Sequence, residues 1–531
     1  MKKGKGKPIL FIVLIVMLSG IVTSYFYLKQ SHQTENNVNT TSEYAMKSNS
    51  LENFDLSFLK FEQNEKNIVY SPLSIKYALY MLSEGANGQT KTQIDNVIGS
   101  YKINNYSNSA NMSFANALFI KDSYKNYINN DYINTIKNKF NGSVIFDSFK
   151  TTDNLNNWIS KNTFNLINDI EDDISDLDYI LLNALAIDMD WINLMQPVQG
   201  KILYDQNHTH YGWDYYVELK NEQYNGSKVI HNIEALYDNG NSSNYHALVF
   251  NNINNTRSVT IGAVVNKYDI VKTLGRDEIK ENITKLYNEW LDQGGCDGRE
   301  FDPPTEEFVE DYITKLDSNY KDISSSTDFR FLNNDEVKVF AKDLKTYNNI
   351  SLEYIGIMPQ KESLHNYINN LDASKINETL DNLKSITLED FEEGVVTKIS
   401  GYIPLFKYSY KFDLIEDLKN LGITDVFDQQ KSDLSNLTTK KDSTISRAQH
   451  KATIEFSNDG IRAAAVNEFI GGGDTSCSFP YKYEIPVKEI DMTFDKPYMY
   501  IIRDKDTKEV WFVGTVYEPL LNPQNNYNYD K

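Results

Sequence analysis

A strand that runs straight into a polar corner, a row of alanines and a glycine-rich stretch constrains this chain more than any other feature. From His450 to Phe456 the residues suit a strand, and Ser457-Asn458-Asp459-Gly460 turns the chain. Ile461 and Arg462 then lead into Ala463, Ala464, Ala465 and Val466. Small side chains beside a strand permit such a segment to enter a sheet without steric conflict. Residues 467–478 contain Gly471-Gly472-Gly473, which packs poorly and is expected to be open to proteases. Order returns at Glu489-Ile490-Asp491-Met492-Thr493-Phe494, followed by a hairpin-like end from Pro497 to Pro519.

The 531 residues could form one large domain or several. With 40% hydrophobic residues, 13% aromatic and only 12 prolines, the chain has material for a substantial core and too much for disorder. A formal net charge of -21 repels phosphate backbones, which argues against a nucleic-acid partner. Abundant Asn, Ile, Lys and Tyr resembles the usage of an AT-rich bacterial genome. Lys2, Lys3, Lys5 and Lys7 precede an uncharged, almost unbroken apolar run from Ile9 to Leu28. That length suffices to cross a bilayer as a helix, with the lysines cytoplasmic. Val22-Thr23-Ser24 equally offers a small-residue cleavage site. The expectation is an exported protein, either anchored at the cell surface through residues 9–28 or secreted after cleavage. Cys296 and Cys477 make no disulfide framework; they read as two thiols, with one bridge between them as the alternative.

Residues 31–50 read as a flexible linker and 520–531 as a disordered tail. Ser71 is a good N-cap with Pro72 at the first helical position, which predicts a helix through Tyr77, Leu79, Met81 and Leu82 to Gly85. Thr90 with Gln93 predicts a capping box on the next helix. Between Trp191 and Phe329 lie strand-like runs (245–251, 258–265) and an amphipathic helix, 277–291, with Ile279, Ile283, Leu286 and Trp290 on one face. Asp504 to Glu509 reads as a turn between strands 498–502 and 510–516. His208 and His210 could share a metal at strand spacing, but no third ligand is identifiable. No phosphate loop or zinc motif is present.

An ordered set of short motifs resembles the serpins, protease inhibitors that act as spent substrates. They are Asn67 to Ile75, Gly85 to Thr90, Asn116-Ala117-Leu118-Phe119 as a helix-to-strand passage, and Asn157-Trp158-Ile159 in a helix. Next come Leu181-Leu182-Asn183-Ala184 with Trp191 at the top of a central strand, Tyr354 to Pro359, Ile403 to Phe406, Leu421 to Phe427 and Ser432 to Ser435. The set ends at Phe512 to Pro519. The resemblance implies an α+β serpin fold of three β-sheets, about nine helices and an exposed reactive-centre loop, preceded by one N-terminal transmembrane or signal helix. The serpin domain would span residues 51–519, with an atypical insertion at about 200–328 that is either an elaborated sheet edge or a partner-binding subdomain. The reactive loop would span 459–488.

The resemblance also assigns roles. The hinge would be Gly460, Ile461, Arg462, Ala463, Ala464 and Ala465. Counting from the hinge puts the bait bond in Gly473, Asp474 and Thr475; counting back from Pro497 puts it near Tyr483. Ser71, Ser74, Asn183 and His450 would form a polar cluster gating the main sheet, with Trp191 where the loop enters. The family has a small hydroxyl residue at Ile461, Glu at Arg462 and an acid at Asn458, so the hinge departs at three places. The implied activity is suicide inhibition of serine proteases, with cysteine proteases as the second class. The chain would be a monomer without catalysis, metal or cofactor. The alternative is a non-inhibitory binding or scaffold protein using the insertion.

Overall fold

Two buried helices, α1 (Asn53–Phe61) and α2 (Pro72–Gly85), organise the interior. The Ser71 side chain accepts a hydrogen bond from the Ser74 N–H, and Pro72 fills the first turn where its missing donor costs nothing. The computed structural model describes residues 43–168, 173–192, 195–197, 230–238, 243–250, 258–267, 269–294, 305–319, 328–457 and 487–519. The next helix, α3 (Gly88–Ile98), lacks the expected capping box, and its N-cap is Asn87. Thr90 instead accepts from the Asp433 N–H at 3.0 Å, and the Gln93 side-chain oxygen accepts from Thr424 and Asp425 N–H at 2.9 Å each. Tertiary partners in residues 424–433 have taken both side chains that local capping would have used.

Where the resemblance implies one main sheet, the described residues form two separate sheets. Strands β1 (Met112–Lys121), β2 (Ser143–Asp147) and β3 (Tyr179–Ile187) form one, in the order β2-β1-β3. Strands β1 and β2 run parallel; β1 and β3 run antiparallel, with Asn116 opposite Asn183. Residues 116–119 therefore lie inside a strand rather than at a helix-to-strand passage. Strands β4 (Phe406–Asp413) and β5 (Gln449–Phe456) form the other part, antiparallel, with Phe412 opposite His450. Among the described residues no hydrogen-bonded register joins β3 to β5. Helix α2 packs against β3, and α4 (Asp153–Asn162) packs against β1 and β3.

Behind the main sheet lies a seven-stranded sheet in the order 69–70, 510–516, 498–504, 352–359, 337–343, 329–333, 384–385. Every residue of Val337–Asp343, Leu352–Pro359, Tyr498–Asp504 and Val510–Val516 is buried. That accounts for their runs of apolar residues, whereas half-exposed β4 alternates. Gly514 is required by close approach: a Cβ there would come within 2.3 Å of the Ile68 carbonyl and the Tyr500 hydroxyl. The segment 504–509 is the expected turn, its Asp504 carboxylate accepting from the N–H groups of Asp506 and Thr507.

A four-stranded sheet orders Val487–Asp491, Val396–Pro404, Ser258–Asn266 and Gln196–Pro197. Here Val396 is opposite both Val487, in parallel, and Asn266, antiparallel. Within residues 200–328 the described elements are a hairpin (Ile230–Asp238 and Ser243–Phe250), the strand Ser258–Asn266, a short helix Ile270–Leu274, and helices α5 (Arg276–Asp292) and α6 (Glu306–Asn319). Ile279, Ile283 and Tyr287 of α5 pack on Val309 and Ile313 of α6 in a small core of their own.

The helix count and the sheet count both differ from expectation. Eleven α-helices occur among the described residues, three of them between 270 and 319, against about nine expected. Among the described residues five hydrogen-bonded sheets occur instead of three, because the expected main sheet is in two parts and the 230–250 hairpin pairs with no other strand. The apolar run 9–28 and the tail from residue 520 lie outside the described residues. Among those described, no helix is long and apolar enough to cross a membrane.

Candidate functional site: a cleft in the main sheet

The facing edges of β3 and β5 bound a cavity of about 460 Å³. Its floor is the start of α2, with Ser71, Ser74 and Ile75; Trp158, Thr163 and Phe164 cover it; Trp191 closes one end. Strand β3 is apolar at nearly every position except Asn183, yet its outer edge meets no strand of the described chain.

The four polar residues expected to gate the sheet fall into two groups, one on each side of the cleft. On the β5 side the Ser71 N–H donates to His450 Nε2 at 2.9 Å, while Ser71 Oγ accepts from the Ser74 N–H at 3.1 Å. His450 must be neutral to accept, and burial pushes its pKa down to about 4. On the β3 side Asn183 Nδ2 donates to Asn116 Oδ1 at 2.8 Å, and Asn116 Nδ2 donates to the Phe140 carbonyl at 2.9 Å. Asn183 Oδ1 is buried without a hydrogen-bond partner. Ser71, Ser74, Asn183 and His450 thus all line one cavity, but the printed bonds tie them into two pairs of arms. Asn116, which the sequence offered only as part of a helix-to-strand motif, is the polar partner that sequence reasoning did not assign to the cluster. Its signal was the register: Asn at both 116 and 183, which become opposite in an antiparallel pair.

The upper end of the cleft is an aromatic box around the last residue of β5. The Phe456 ring lies 5.5 Å from Trp191, 4.9 Å from Tyr354 and 5.2 Å from Phe406, centroid to centroid. Trp191 Nε1–H donates to the Ser457 carbonyl at 3.3 Å. Aromatic pairs at these separations add about 0.5–1.5 kcal/mol each beyond burial, so β5 is held to its last turn of chain.

Behind Trp191 runs a charge network that the sequence did not announce. The Glu353 carboxylate takes Arg503 Nε at 2.7 Å and Arg330 at 2.7 Å; Asp343 takes Arg330 and Lys505 at 2.5 Å each. Burial acts most strongly on Glu353 and in the upward direction, but the two guanidiniums hold its carboxyl below the usual range. The Ile192 N–H donates to the Asp343 carbonyl, and Lys345 pairs with Asp190 at 2.8 Å. Both fix the Trp191 turn against the seven-stranded sheet.

Chain 458–486 connects β5 to Val487–Asp491 and lies outside the described residues. It contains Gly460, Ile461, Arg462, Ala463, Ala464 and Ala465, and also Gly473, Asp474, Thr475 and Tyr483. His208, His210, Cys296 and Cys477 are outside as well. Both ends of the connection are described: Ser457 is held by Trp191, and Val487–Asp491 is zipped to Val396–Ser400. Among the described residues no group of three or more His, Cys, Asp or Glu could hold a metal ion.

A family model described as "Serpin (serine protease inhibitor)" matches residues 52–199 and 309–519. Mouse (Mus musculus) Serpin B10 is 30% identical over 173 residues, which are 33% of this chain and 39% of that protein. The chain thus aligns with about two fifths of the length of that relative. Human (Homo sapiens) Neuroserpin is 22% identical over 494 residues, covering 89% of this chain and 91% of its own. The native-state crystal structure of Tengpin, a thermophilic serpin, superposes with a TM-score of 0.51 at 19% identity, covering 89% of this chain and 96% of that one. At that identity the superposition establishes a shared fold.

Proposed function

The chain belongs to the serpin family, and from that premise we propose that it is a suicide-substrate inhibitor of serine proteases, with cysteine proteases as the second target class. The protease attacks the loop between β5 and Val487 as substrate. Once the acyl-enzyme has formed, the cut loop turns at Gly460 and enters the cleft between β3 and β5 as a new strand, antiparallel to β5. The tethered enzyme is carried along, and its active site is distorted before the ester is hydrolysed. A trap of this kind is driven by a native state held kinetically above a more stable one.

The observation that carries this reading is the split main sheet, with the loop rooted at one lip of the split. An inserting strand would find donors and acceptors on two edges, at about 1 kcal/mol net per bond made. By alternation, Ile461, Ala463, Ala465 and Asn467 would face one side, and Arg462, Ala464 and Val466 the other. Arg462 would then point to solvent, where its charge is tolerable. Ile461 is β-branched and suits a strand.

The protein acts outside the cell as a monomer, on this reading, held at the membrane by residues 9–28 or released after cleavage. The insertion at about 200–328 and the loop at 459–488 are elaborations of one serpin domain. The testing experiment incubates residues 31 onward with serine and cysteine proteases of differing specificity, followed by denaturing gels and mass spectrometry. A complex that survives denaturation, with the cut near Asp474 or Tyr483, is the expected result. Cleavage at those sites with no complex against any enzyme leaves the non-inhibitory binding role in its place.

A further inference from the structure

The helices α5 and α6 sit where the loop returns to the body of the protein, and their exposed surface is strongly acidic. Val396 packs against their small shared core and is the register partner of Val487, the first described residue after the loop. Adjacent strands lie about 5 Å apart, so the helix pair stands one strand away from the distal root of the loop. The attachment is firm: Lys267 Nζ pairs with Glu393 at 2.7 Å and donates to the Phe391 carbonyl at 2.9 Å, and main-chain bonds join Lys267 to Gly394 and Val395. The two helices are also bound to each other, by Lys280 with Glu306 at 3.1 Å and Glu310 at 2.8 Å, and by Arg276 with Glu310.

Those ion pairs occupy cations that could have neutralised the surface. Among the side chains described on the two helices, five exposed carboxylates on α5 and three on α6, among them Asp277, Glu278, Glu281, Glu306 and Glu307, face two exposed cations, Arg276 and Lys285. Arg276 is paired across the helices and Lys285 lies 3.8 Å from Glu289. A surface of one sign within a Debye length of an approaching partner raises the encounter rate for the opposite sign. The chain that a protease would attack re-enters the described structure at Val487, one strand from this surface.

We infer that the α5–α6 pair is an auxiliary docking face for the protease that attacks the loop, selecting enzymes with a basic surface beside the active-site cleft. The inference rests on the reading of the loop as bait. It gives the segment unmatched by the family model, 200–308, together with the adjoining α6, a part in choosing the target.

The test uses residues 31 onward and two proteases of the same primary specificity, one cationic and one anionic, at about 0.02 M and about 0.3 M ionic strength. Loss of intact chain gives the rate of attack, and the same gels give the fraction trapped as covalent complex. At low salt the natural chain is expected to react about tenfold faster with the cationic enzyme, and the gap should close at high salt. The variant E278K/E281K/E307K should lose the preference, and E278Q/E281Q/E307Q should show an intermediate one; near-native circular dichroism would establish that both are folded. Equal rates for the natural chain and the charge-reversed variant with the cationic enzyme at low salt would overturn the inference. Cleavage without trapping would instead overturn inhibition, while the rates would still report docking.

Discussion

At the scale of single residues the cleft depends on a neutral imidazole. His450 accepts from the Ser71 N–H, so protonation both breaks that bond and charges a group that is half-buried in the cleft. Burial puts its folded pKa at about 4, below the ordinary 6.5. The unfolded state therefore binds the proton more readily, and stability should fall as pH drops from about 6.5 towards 4, by on the order of 2 kcal/mol. Urea unfolding of the natural chain and His450→Ala across pH 4–7 checks this. The variant should be weaker at pH 7 by about 1–3 kcal/mol, having orphaned a buried donor, and its dependence on pH should be flatter. A second residue-scale device is Lys76, fully buried between Asp55 and Glu509 at 2.7 Å each. Burial raises the pKa of both carboxyls although Lys76 opposes it. Lys76→Met would strand two carboxylates and should cost about 3–5 kcal/mol at pH 7, with partial recovery at pH 5 as they take up protons. An unchanged midpoint of unfolding at pH 7 would contradict the account.

At the scale of elements the proposal turns on whether the loop segment can become a strand. In an inserted strand Ala463 and Ala465 would share one face by alternation, the face that would pack against the body of the protein. Ala463→Arg should leave the rate of loop cleavage unchanged and abolish the covalent complex, because a charged side chain would have to be buried before the protease could be displaced. Arg at position 464, on the opposite face, should be tolerated much as Arg462 is. Gels of both variants with one trapped protease decide the matter, and equal trapping by the two would contradict the assigned alternation. How far such elements were legible depended on the range of their interactions. The α2 start, the 498–516 hairpin and the α5 face came out as expected, since Ser71-Pro72, a charged turn and a 3.6-residue period are local signals. The α3 cap failed because Thr90 and Gln93 answer to residues 424–433, more than 300 positions away. Lys76 with Glu509 is likewise a pair separated by 433 positions; in the sequence it is an unremarked lysine on a helix and an acid in a turn. Asn116 was hidden for a related reason: it matters only through the β1–β3 register.

At the scale of the whole molecule, β3 and β5 share no hydrogen bonds among the described residues, and chain 458–486 leaves from the end of β5. The family was legible from motif order, and the family model covers the same motifs. The division itself was not legible, because β3 and β5 lie 270 positions apart at Asn183 and Thr453, and nothing local says whether their edges meet. Inserting a strand between them should convert the molecule to a markedly more stable one. The most direct measurement is thermal unfolding of residues 31 onward before and after a single cut in 467–486. With on the order of 10 kcal/mol gained from a strand paired on two edges, the account predicts that the midpoint rises by on the order of 20 °C. A cut chain that unfolds at the same temperature as the intact one would contradict it.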